Sequence, residues 1–272
     1  MKKYSLQYFI PVAALFLLFA CKKSDGVTNQ PYTAYGVTSA TQGQLKINLA
    51  MAYTVDYANM LIKVNGKAVS NLLQTRTPFP GGGYNTRGSN FALYLSVPVG
   101  SNTVSVVLPK ATTDTDSVVL FNGTVTVPDN EPYTLHIADT AASIKSVLVK
   151  NVINSMDTGW CRFKFVNLIP NVAAVDLYLN NVKIKSNLAY LVASDTFSIR
   201  TGVNQPGYVP GSTTTTFAVR PAGALATTAA LASYASNSSL QSQQALTIFT
   251  MGYSGSTGTR LPFISFTLDK NK

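Results

Sequence analysis

The strongest constraint on the fold of this chain is an internal repeat. The segment Met60–Gly66 (MLIKVNG) matches Val175–Asn181 (VDLYLNN), and Asn65 and Asn180 stand 115 residues apart. Both segments alternate apolar residues along one face and end in Asn-Gly or Asn-Asn, a pattern that favours a β-strand followed by a tight turn. Self-similarity at a fixed spacing marks a duplicated structural unit. The chain is therefore predicted to contain one strand-rich unit twice.

Further matches extend the repeat to the ends of the two units. Tyr133–Leu135 aligns with Leu246–Ile248 as the penultimate strand of each unit, and Pro109 aligns with Pro221 at the end of another strand. The 272 residues suffice for two domains of about 100 to 125 residues each. We predict domain 1 at residues 41–153 and domain 2 at residues 159–272, joined near residues 154–158.

Strand signals dominate both units. Runs of β-branched and aromatic residues alternate with polar ones and are separated by Gly, Pro, Asn and Asp. Ala222–Ala235 is rich in Ala, but its Thr and Ser content favours strand and loop over helix. The predicted fold class is all-β, with two tandem immunoglobulin-like antiparallel β-sandwich domains of about seven strands each.

The N-terminal residues predict export and lipid attachment. Two lysines precede the apolar run Tyr8–Ala20, which is too short to span a membrane and is typical of a signal peptide, here residues 1–20. The junction Leu18-Phe19-Ala20-Cys21 resembles the lipobox of bacterial lipoproteins, in which the cysteine carries diacylglycerol and a further acyl chain such as palmitate. We expect lipidation at Cys21; a plain secretory signal is the alternative.

The predicted location is the outer membrane. Residues 21–40 are rich in polar and small residues and are expected to form a flexible tether. Lys22 rather than Asp follows Cys21, which in the Gram-negative sorting pattern argues against retention in the inner membrane. The formal charge of +10 is scattered along the chain. Membrane contact through the lipid is therefore expected, on the cell surface or the periplasmic face, and nucleic acid binding is not.

One segment resembles a known family. Arg162–Asn181 reads as a strand ending in Val-Asn, a turn, and a second strand Val-Asp-Leu-Tyr-Leu-Asn-Asn, and Phe217–Gly223 ends in Arg-Pro-Ala-Gly. These features are similar to the domain of unknown function family 4397, with the second repeat matching well and the first loosely. The resemblance implies a tandem β-sandwich lipoprotein of the surface or periplasm, and it carries no activity to transfer.

Four residues of the two predicted domains are candidates for a functional role. Asp176 belongs to the family motif and is expected to accept backbone N–H groups that fix a hairpin corner. His136 is expected to be a hydrogen-bonded residue on a strand face rather than a metal ligand or base, because it is the only histidine. Cys161 is expected to be a small apolar strand residue. Trp160 is expected in the core or at the domain junction.

The sequence favours a protein without catalytic, metal or cofactor sites. The acidic clusters Asp114–Asp116 and Asp129–Glu131 have too few ligands for a dedicated calcium loop and are expected to be solvated turns. No Gly-x-Ser-x-Gly segment presents a serine to His136. We therefore expect no enzyme activity, no metal site and no cofactor.

Two loops rich in Gly and Pro are the candidate binding elements. Residues 77–88 carry Tyr84 and Arg87, and residues 202–211 carry Tyr208, which together could present aromatic faces to a sugar or a protein. The expected function is non-catalytic binding, adhesion or scaffolding at the outer membrane. The alternatives are a carbohydrate-binding accessory protein of a polysaccharide-processing system and a structural subunit that assembles through an edge strand.

Overall fold

The computed structural model describes residues 41–51, 60–70, 72, 92–109, 116–140, 143–212, 214–236 and 240–270. These residues form sixteen β-strands and two short 3-10 turns, with no α-helix among them and hence none that could span a membrane. The strands are β1 (Gln42–Met51), β2 (Leu61–Val64), β3 (Lys67–Ala68), β4 (Leu95–Pro98), β5 (Gly100–Pro109), β6 (Asp116–Val127), β7 (Pro132–Asp139), β8 (Lys145–Lys150), β9 (Trp160–Val166), β10 (Ala174–Leu179), β11 (Val182–Ala189), β12 (Phe197–Arg200), β13 (Thr215–Pro221), β14 (Ala232–Ser236), β15 (Ala245–Met251) and β16 (Phe263–Lys270).

The strands assemble into four sheets of four, which confirms the all-β sandwich prediction. Strands β1–β8 form the sheets β4-β1-β7-β8 and β3-β2-β5-β6, and strands β9–β16 form β12-β9-β15-β16 and β11-β10-β13-β14. Adding eight to each strand number of the first pair of sheets gives the second pair, so the same strand order recurs in both halves. The Ala-rich segment 222–235 contains turns and most of β14, as expected, and no helix.

The sheets differ from the prediction in one detail of direction. Strand β1 runs parallel to β7, and β9 runs parallel to β15, whereas every other pair among the described strands is antiparallel. The first strand of each half joins its sheet only after the chain has crossed to the facing sheet and returned. Such a long connection places no hairpin constraint on strand direction, so local alternation could not predict the parallel pairs.

The repeated turns have the same geometry in both halves. Asn65 donates its N–H to Thr103 and Asn180 donates its N–H to Thr216, each at 2.8 Å to a carbonyl oxygen. In return the Oδ1 atom of each asparagine accepts the backbone N–H of that threonine at 2.9 Å. Both asparagines have positive φ, 49° and 46°. The Asn-Gly and Asn-Asn pairs thus make the tight turns that their sequence indicates.

Each half has its own apolar core, formed by the inward faces of its two sheets. The first core includes Ile47, Ile62 and Val106, and the second includes Phe163, Leu177 and Phe217, all fully buried. On β2 the buried residues are the alternating ones that define the repeat, and on β10 the alternating residues Val175, Leu177 and Leu179 are the ones that enter the core. The two cores therefore follow directly from the alternation of the sequence.

A third apolar cluster joins the two halves. It contains Ala50, Ala138 and Val149 from the first half and Val166, Phe249 and Met251 from the second. Two of the strands that contribute to it are consequently buried on both faces, since every residue of β7 and of β15 is buried. The sheet β4-β1-β7-β8 thus packs its outer face against the outer face of β12-β9-β15-β16, and the described residues of both halves belong to one compact unit.

Contacts across this interface are reciprocal. Tyr133 of β7 and Leu246 of β15 are equivalent positions of the repeat. Their partners on the last strand of each half, Lys150 and Leu268, are therefore equivalent too. The same register makes Lys46 of β1 equivalent to Lys164 of β9. Lys46 Nζ donates to the carbonyl oxygen of Leu268 at 2.6 Å, and Lys164 Nζ donates to the carbonyl oxygen of Lys150. The two halves are therefore related by an approximate two-fold axis, as in an isologous dimer.

The axis passes through the centre of the third cluster. His136 and Phe249 are equivalent positions of β7 and β15, and their ring centroids lie 5.9 Å apart across the interface. Equivalent residues meet each other only near a two-fold axis. The duplicated halves thus pack as two subunits would, within one chain.

Candidate functional site

The described residue that most suggests a binding surface is Trp160, the only tryptophan of the chain. It begins β9, pairs with Arg200 of β12, and remains 37% exposed. The guanidinium carbon of Arg200 lies 5.9 Å from the centroid of the indole ring, within the range of a cation–π contact. Of the two positions expected for Trp160, the core is wrong, because its side chain is exposed; it lies beside the predicted junction, where its N–H donates to the carbonyl oxygen of Asp157 at 3.2 Å. We call Trp160 and Arg200 the indole–guanidinium pair.

Backbone hydrogen bonds fix the position of this pair. Gly159, with φ +87°, accepts the Thr201 N–H at 2.8 Å and donates its own N–H to Ser242 Oγ at 2.8 Å. The carbonyl oxygen of Trp160 accepts the Gln243 N–H at 2.6 Å. The backbone that carries the indole is therefore fixed before any ligand arrives, which lowers the entropy cost of binding.

The loop that follows Arg200 contains Tyr208. Its side chain is half-buried, and its N–H donates to the carbonyl oxygen of Gln205 at 3.2 Å. Asn180 Nδ2 donates to the carbonyl oxygen of Pro206 at 3.1 Å, which ties the loop to the Asn-Asn turn. The loop still presents apolar surface, because Val203 is 67% exposed. The other two candidate loop residues, Tyr84 and Arg87, lie outside the described residues.

Asp176 lies at the junction of β10, β11 and β13 and is 1% exposed. Its carboxylate accepts the N–H of Asn187 at 2.8 Å and the N–H of Gly223 at 3.1 Å, and Lys183 Nζ lies 2.6 Å from Oδ2. Burial raises the pKa of Asp176, but hydrogen bonds from Lys183 and the two amides lower it by more, so its pKa lies below the usual value. These contacts hold a hairpin and a turn in place.

His136 and Cys161 lie in the interior. His136 Nδ1 is 2.8 Å from Asn48 Nδ2 in the interface between the halves, and Cys161 is fully buried in the second core. Neither residue faces solvent, so the structure gives them positions suited to packing. Among the described residues no group of His, Cys, Asp and Glu is arranged to hold a metal ion.

Of the two acidic clusters, only one is described in full. Asp129 Oδ1 accepts the N–H of Glu131 at 2.9 Å and the hydroxyl of Tyr133 at 3.2 Å, which closes a turn before β7. Burial, with a smaller contribution from Asp129, raises the pKa of Tyr133 to about 12. In the other cluster Asp114 and Thr115, and the side chain of Asp116, lie outside the described residues.

Sequence reasoning missed two features near these sites. The pairing of Trp160 with Arg200 across β9 and β12 joins residues from separate strands and depends on register. The buried ion pair Lys46–Asp269, at 2.5 Å, joins the first strand of one half to the last strand of the other. Only the repeat offered a signal for the latter, because it places a lysine at the same position of β1 and β9.

Comparison with solved structures gives distant likenesses. One is titled as a product complex of a multi-modular glycogen-degrading pneumococcal virulence factor, SpuA, with 8% identity, a TM-score of 0.24, and coverage of 68% of this chain and 18% of that chain. Another is titled alpha-glucan binding by a streptococcal virulence factor, with 10% identity, a TM-score of 0.22, and coverage of 80% and 95%. This chain thus spans less than a fifth of the first structure.

The comparison with protein families is more informative. No curated protein matches the sequence significantly. One family model matches residues 54–178. This range includes Arg162–Tyr178 of the family-like segment Arg162–Asn181 and ends before the second such segment, Phe217–Gly223. It contains β2 to β9 and most of β10, so strands of the first half make up most of it. The family model that matches, over residues 54–178, is the one described as Domain of unknown function (DUF4397).

Proposed function

We propose that this chain is a lipid-anchored binding protein of the outer membrane that acts by contact rather than catalysis. The apolar run before Cys21 and the lysine after it support an exported, acylated N-terminus. Residues 21–40, rich in polar and small residues, would connect the anchor to the folded body, whose first strand begins at Gln42. The body would then be displayed at the membrane on the surface or the periplasmic side.

The ligand class that the described surface fits best is a glycan. The observation that carries this proposal is the indole–guanidinium pair, Trp160 and Arg200, exposed at one end of the second half and fixed by backbone hydrogen bonds. The flat apolar face of an indole can cover the C–H face of a sugar ring, and a guanidinium can donate several hydrogen bonds to hydroxyl oxygens. A binding role of this kind needs no acid–base pair and no metal.

A protein partner is the second candidate, which would make the chain an adhesion or scaffolding protein. Exposed apolar residues in the loop that follows Arg200, Val203 and Val209, favour it, because exposed apolar side chains suit contact with a protein surface. The two candidates differ in what they predict for purified polysaccharides. A glycan ligand should bind without any other cellular component.

The anchor is tested by replacing its thiol. In wild-type cells the protein should sediment with membranes, and the Cys21→Ser form should remain in the soluble fraction. Cys161→Ser is the matched control, because Cys161 is buried in the core and should leave sedimentation unchanged. Protease treatment of intact cells then separates surface display from the periplasmic face. Continued sedimentation of the Cys21→Ser form would contradict the anchor.

The ligand is tested by the fluorescence of Trp160, the only tryptophan. A polysaccharide that stacks on the indole should shift its emission in a saturable way, and Arg200→Ala should weaken binding while keeping the fluorophore. Arg260→Ala, which changes an exposed arginine in another loop of the same half, should leave binding unchanged. No spectral change across neutral, acidic and amino-sugar polymers would contradict the glycan proposal. Released sugar would contradict the non-catalytic role.

A further inference from the structure

We infer that Lys46 and Asp269 condense to an intramolecular amide bond that joins the first strand of one half to the last strand of the other. The Nζ atom of Lys46 lies 2.5 Å from Oδ1 of Asp269. Both side chains are buried, with relative exposures of 0% and 5%. An amine and a carboxyl group in contact, away from water, are the two reactants of an amide bond.

Burial favours the reactive protonation states. Burial lowers the pKa of Lys46, and the charge and hydrogen bond of Asp269 oppose that effect. The proposed reaction begins with transfer of one proton from Nζ of Lys46 to Oδ1 of Asp269, across the contact between them, and this transfer removes two buried charges at once. The neutral amine that results carries the lone pair needed for attack.

The neighbouring hydrogen bonds assign a role to each carboxyl oxygen. Thr247 Oγ1 donates to Asp269 Oδ2 at 2.7 Å, where negative charge develops when Nζ adds to Cγ. The Nζ–Cγ bond forms and the bond from Cγ to Oδ1 breaks. Oδ1, which already carries the first transferred proton, takes a second proton from Nζ and leaves as water. No oxidant or other reactant is needed, since the atoms balance as amine plus acid giving amide plus water.

The product amide keeps the hydrogen bonds that the reactants make. Its single N–H can donate to the carbonyl oxygen of Leu268, which already lies 2.6 Å from Nζ. Its carbonyl oxygen, the former Oδ2, can still accept from Thr247. The ring of Tyr94, with its centroid 5.2 Å from Nζ, lies against the lysine end of the pair.

Proximity lowers the activation barrier of this step. Well-oriented intramolecular reactions have effective molarities of about 10⁵–10⁸ M, because the entropy of bringing the groups together has been lost already during folding. The bond would make residues 46–269 a covalent loop that encloses the interface between the halves. An exported protein exposed to proteases and shear would then keep its halves together without a disulfide.

The structure offers a matched control in the other half. Lys164 is the equivalent of Lys46, and its Nζ donates to the carbonyl oxygen of Lys150 instead of to a carboxylate. The acid at the equivalent of Asp269 is replaced by Asn151, whose Nδ2 donates to Thr134 and Tyr94. No amide bond is expected there. Lys164→Met removes a charge that the Asp269 carboxylate acts on, but it leaves the contact of Lys46 with Asp269 in place, so the amide bond should still form.

Mass spectrometry of the full chain tests the inference. After unfolding and proteolysis of protein purified from membranes, a branched peptide that joins Lys46 to Asp269 should be found, lighter by one water than its two parts. Lys46→Met and Asp269→Ala should each abolish it, and Lys164→Met should retain it. Wild type that is folded by circular dichroism yet yields only linear peptides for β1 and β16 would overturn the inference and leave an ion pair.

Two further observations protect this test from a false positive. A succinimide at Asp269 also loses one water, but it would persist in Lys46→Met and would leave no branched peptide. A Cys21→Ser sample recovered unfolded from inclusion bodies into urea should have the mass of its linear sequence, without loss of water, because the two groups meet only in the folded chain. Loss of water in that sample would contradict a reaction driven by folding. None of these outcomes depends on glycan binding.

Discussion

Removal of the Asp176 carboxylate is the sharpest test of how the second half is held together. Asp176→Ala removes a carboxylate that is 1% exposed and that accepts the N–H groups of Asn187 and Gly223. A hydrogen bond to a charged group contributes about 1.5–3 kcal/mol, and water can reach the freed N–H groups because Asn187 and Gly223 are exposed, so the free energy of unfolding should fall by roughly 3 kcal/mol, the lower end for two such bonds. The lost contact with Lys183 adds little, because that side chain is 40% exposed.

Urea unfolding followed by the fluorescence of Trp160 measures this loss, because Trp160 begins a strand of the same half. Asp176→Asn keeps one acceptor oxygen and should lose about half as much. Asp195→Ala removes an exposed acid from the same half and should change the free energy of unfolding by less than about 0.5 kcal/mol. The reasoning fails if Asp176→Ala is as stable as Asp195→Ala.

The same carboxylate gives the stability a defined dependence on pH. Because its pKa in the folded chain is lowered, its contribution is fully present above the pKa of an unfolded aspartate, about 3.9, and is lost as the pH falls through the folded value. Asp176→Asn should therefore flatten the acid limb of the stability profile. An unchanged acid limb would mean that the contacts of Asp176 contribute little.

Three other substitutions test the interface, the loop and the core. Phe249→Ala should lower the free energy of unfolding by about 3–5 kcal/mol, because the ring is fully buried between the halves. Gly207→Ala should lower the melting temperature, since φ is +63° and a Cβ would lie 2.6 Å from the carbonyl oxygen of Asn180. In the Cys21→Ser form, Cys161 should resist a thiol reagent until the protein unfolds, and rapid native labelling would contradict its burial.

Local alternation predicted the parts of the fold that depend on neighbouring residues. It located β2 and β10, with Ile62 and Leu177 inward, and the Asn-Gly and Asn-Asn turns that follow them. These features are set by side-chain period and by the need for positive φ, both of which are visible in a short segment. The all-β class followed from them.

The interface between the halves was not predictable in the same way. Lys46, Asn48 and His136 alternate with apolar residues and so indicate a solvated outer face, yet all three are fully buried. The sheet that buries these three residues comes from the second half of the chain, so no local sequence pattern could predict their burial. One global signal was present: charged residues make up 12% of the chain, about half the usual share, which suits strands buried on both faces.

The approximate two-fold symmetry of the interface explains why its charges are not symmetric. Asn151 and Asp269 occupy equivalent positions, and each is hydrogen-bonded to the threonine of the neighbouring penultimate strand. An acid at both positions would bury a second carboxyl group, and an amide side chain at both would leave Lys46, at 0% exposure, without the carboxyl group that it contacts. Lys164 is only half-buried and retains contact with water, so its half requires no buried acid. A duplicated module that packs on itself can thus keep its backbone symmetric while its buried charge is matched on one side only.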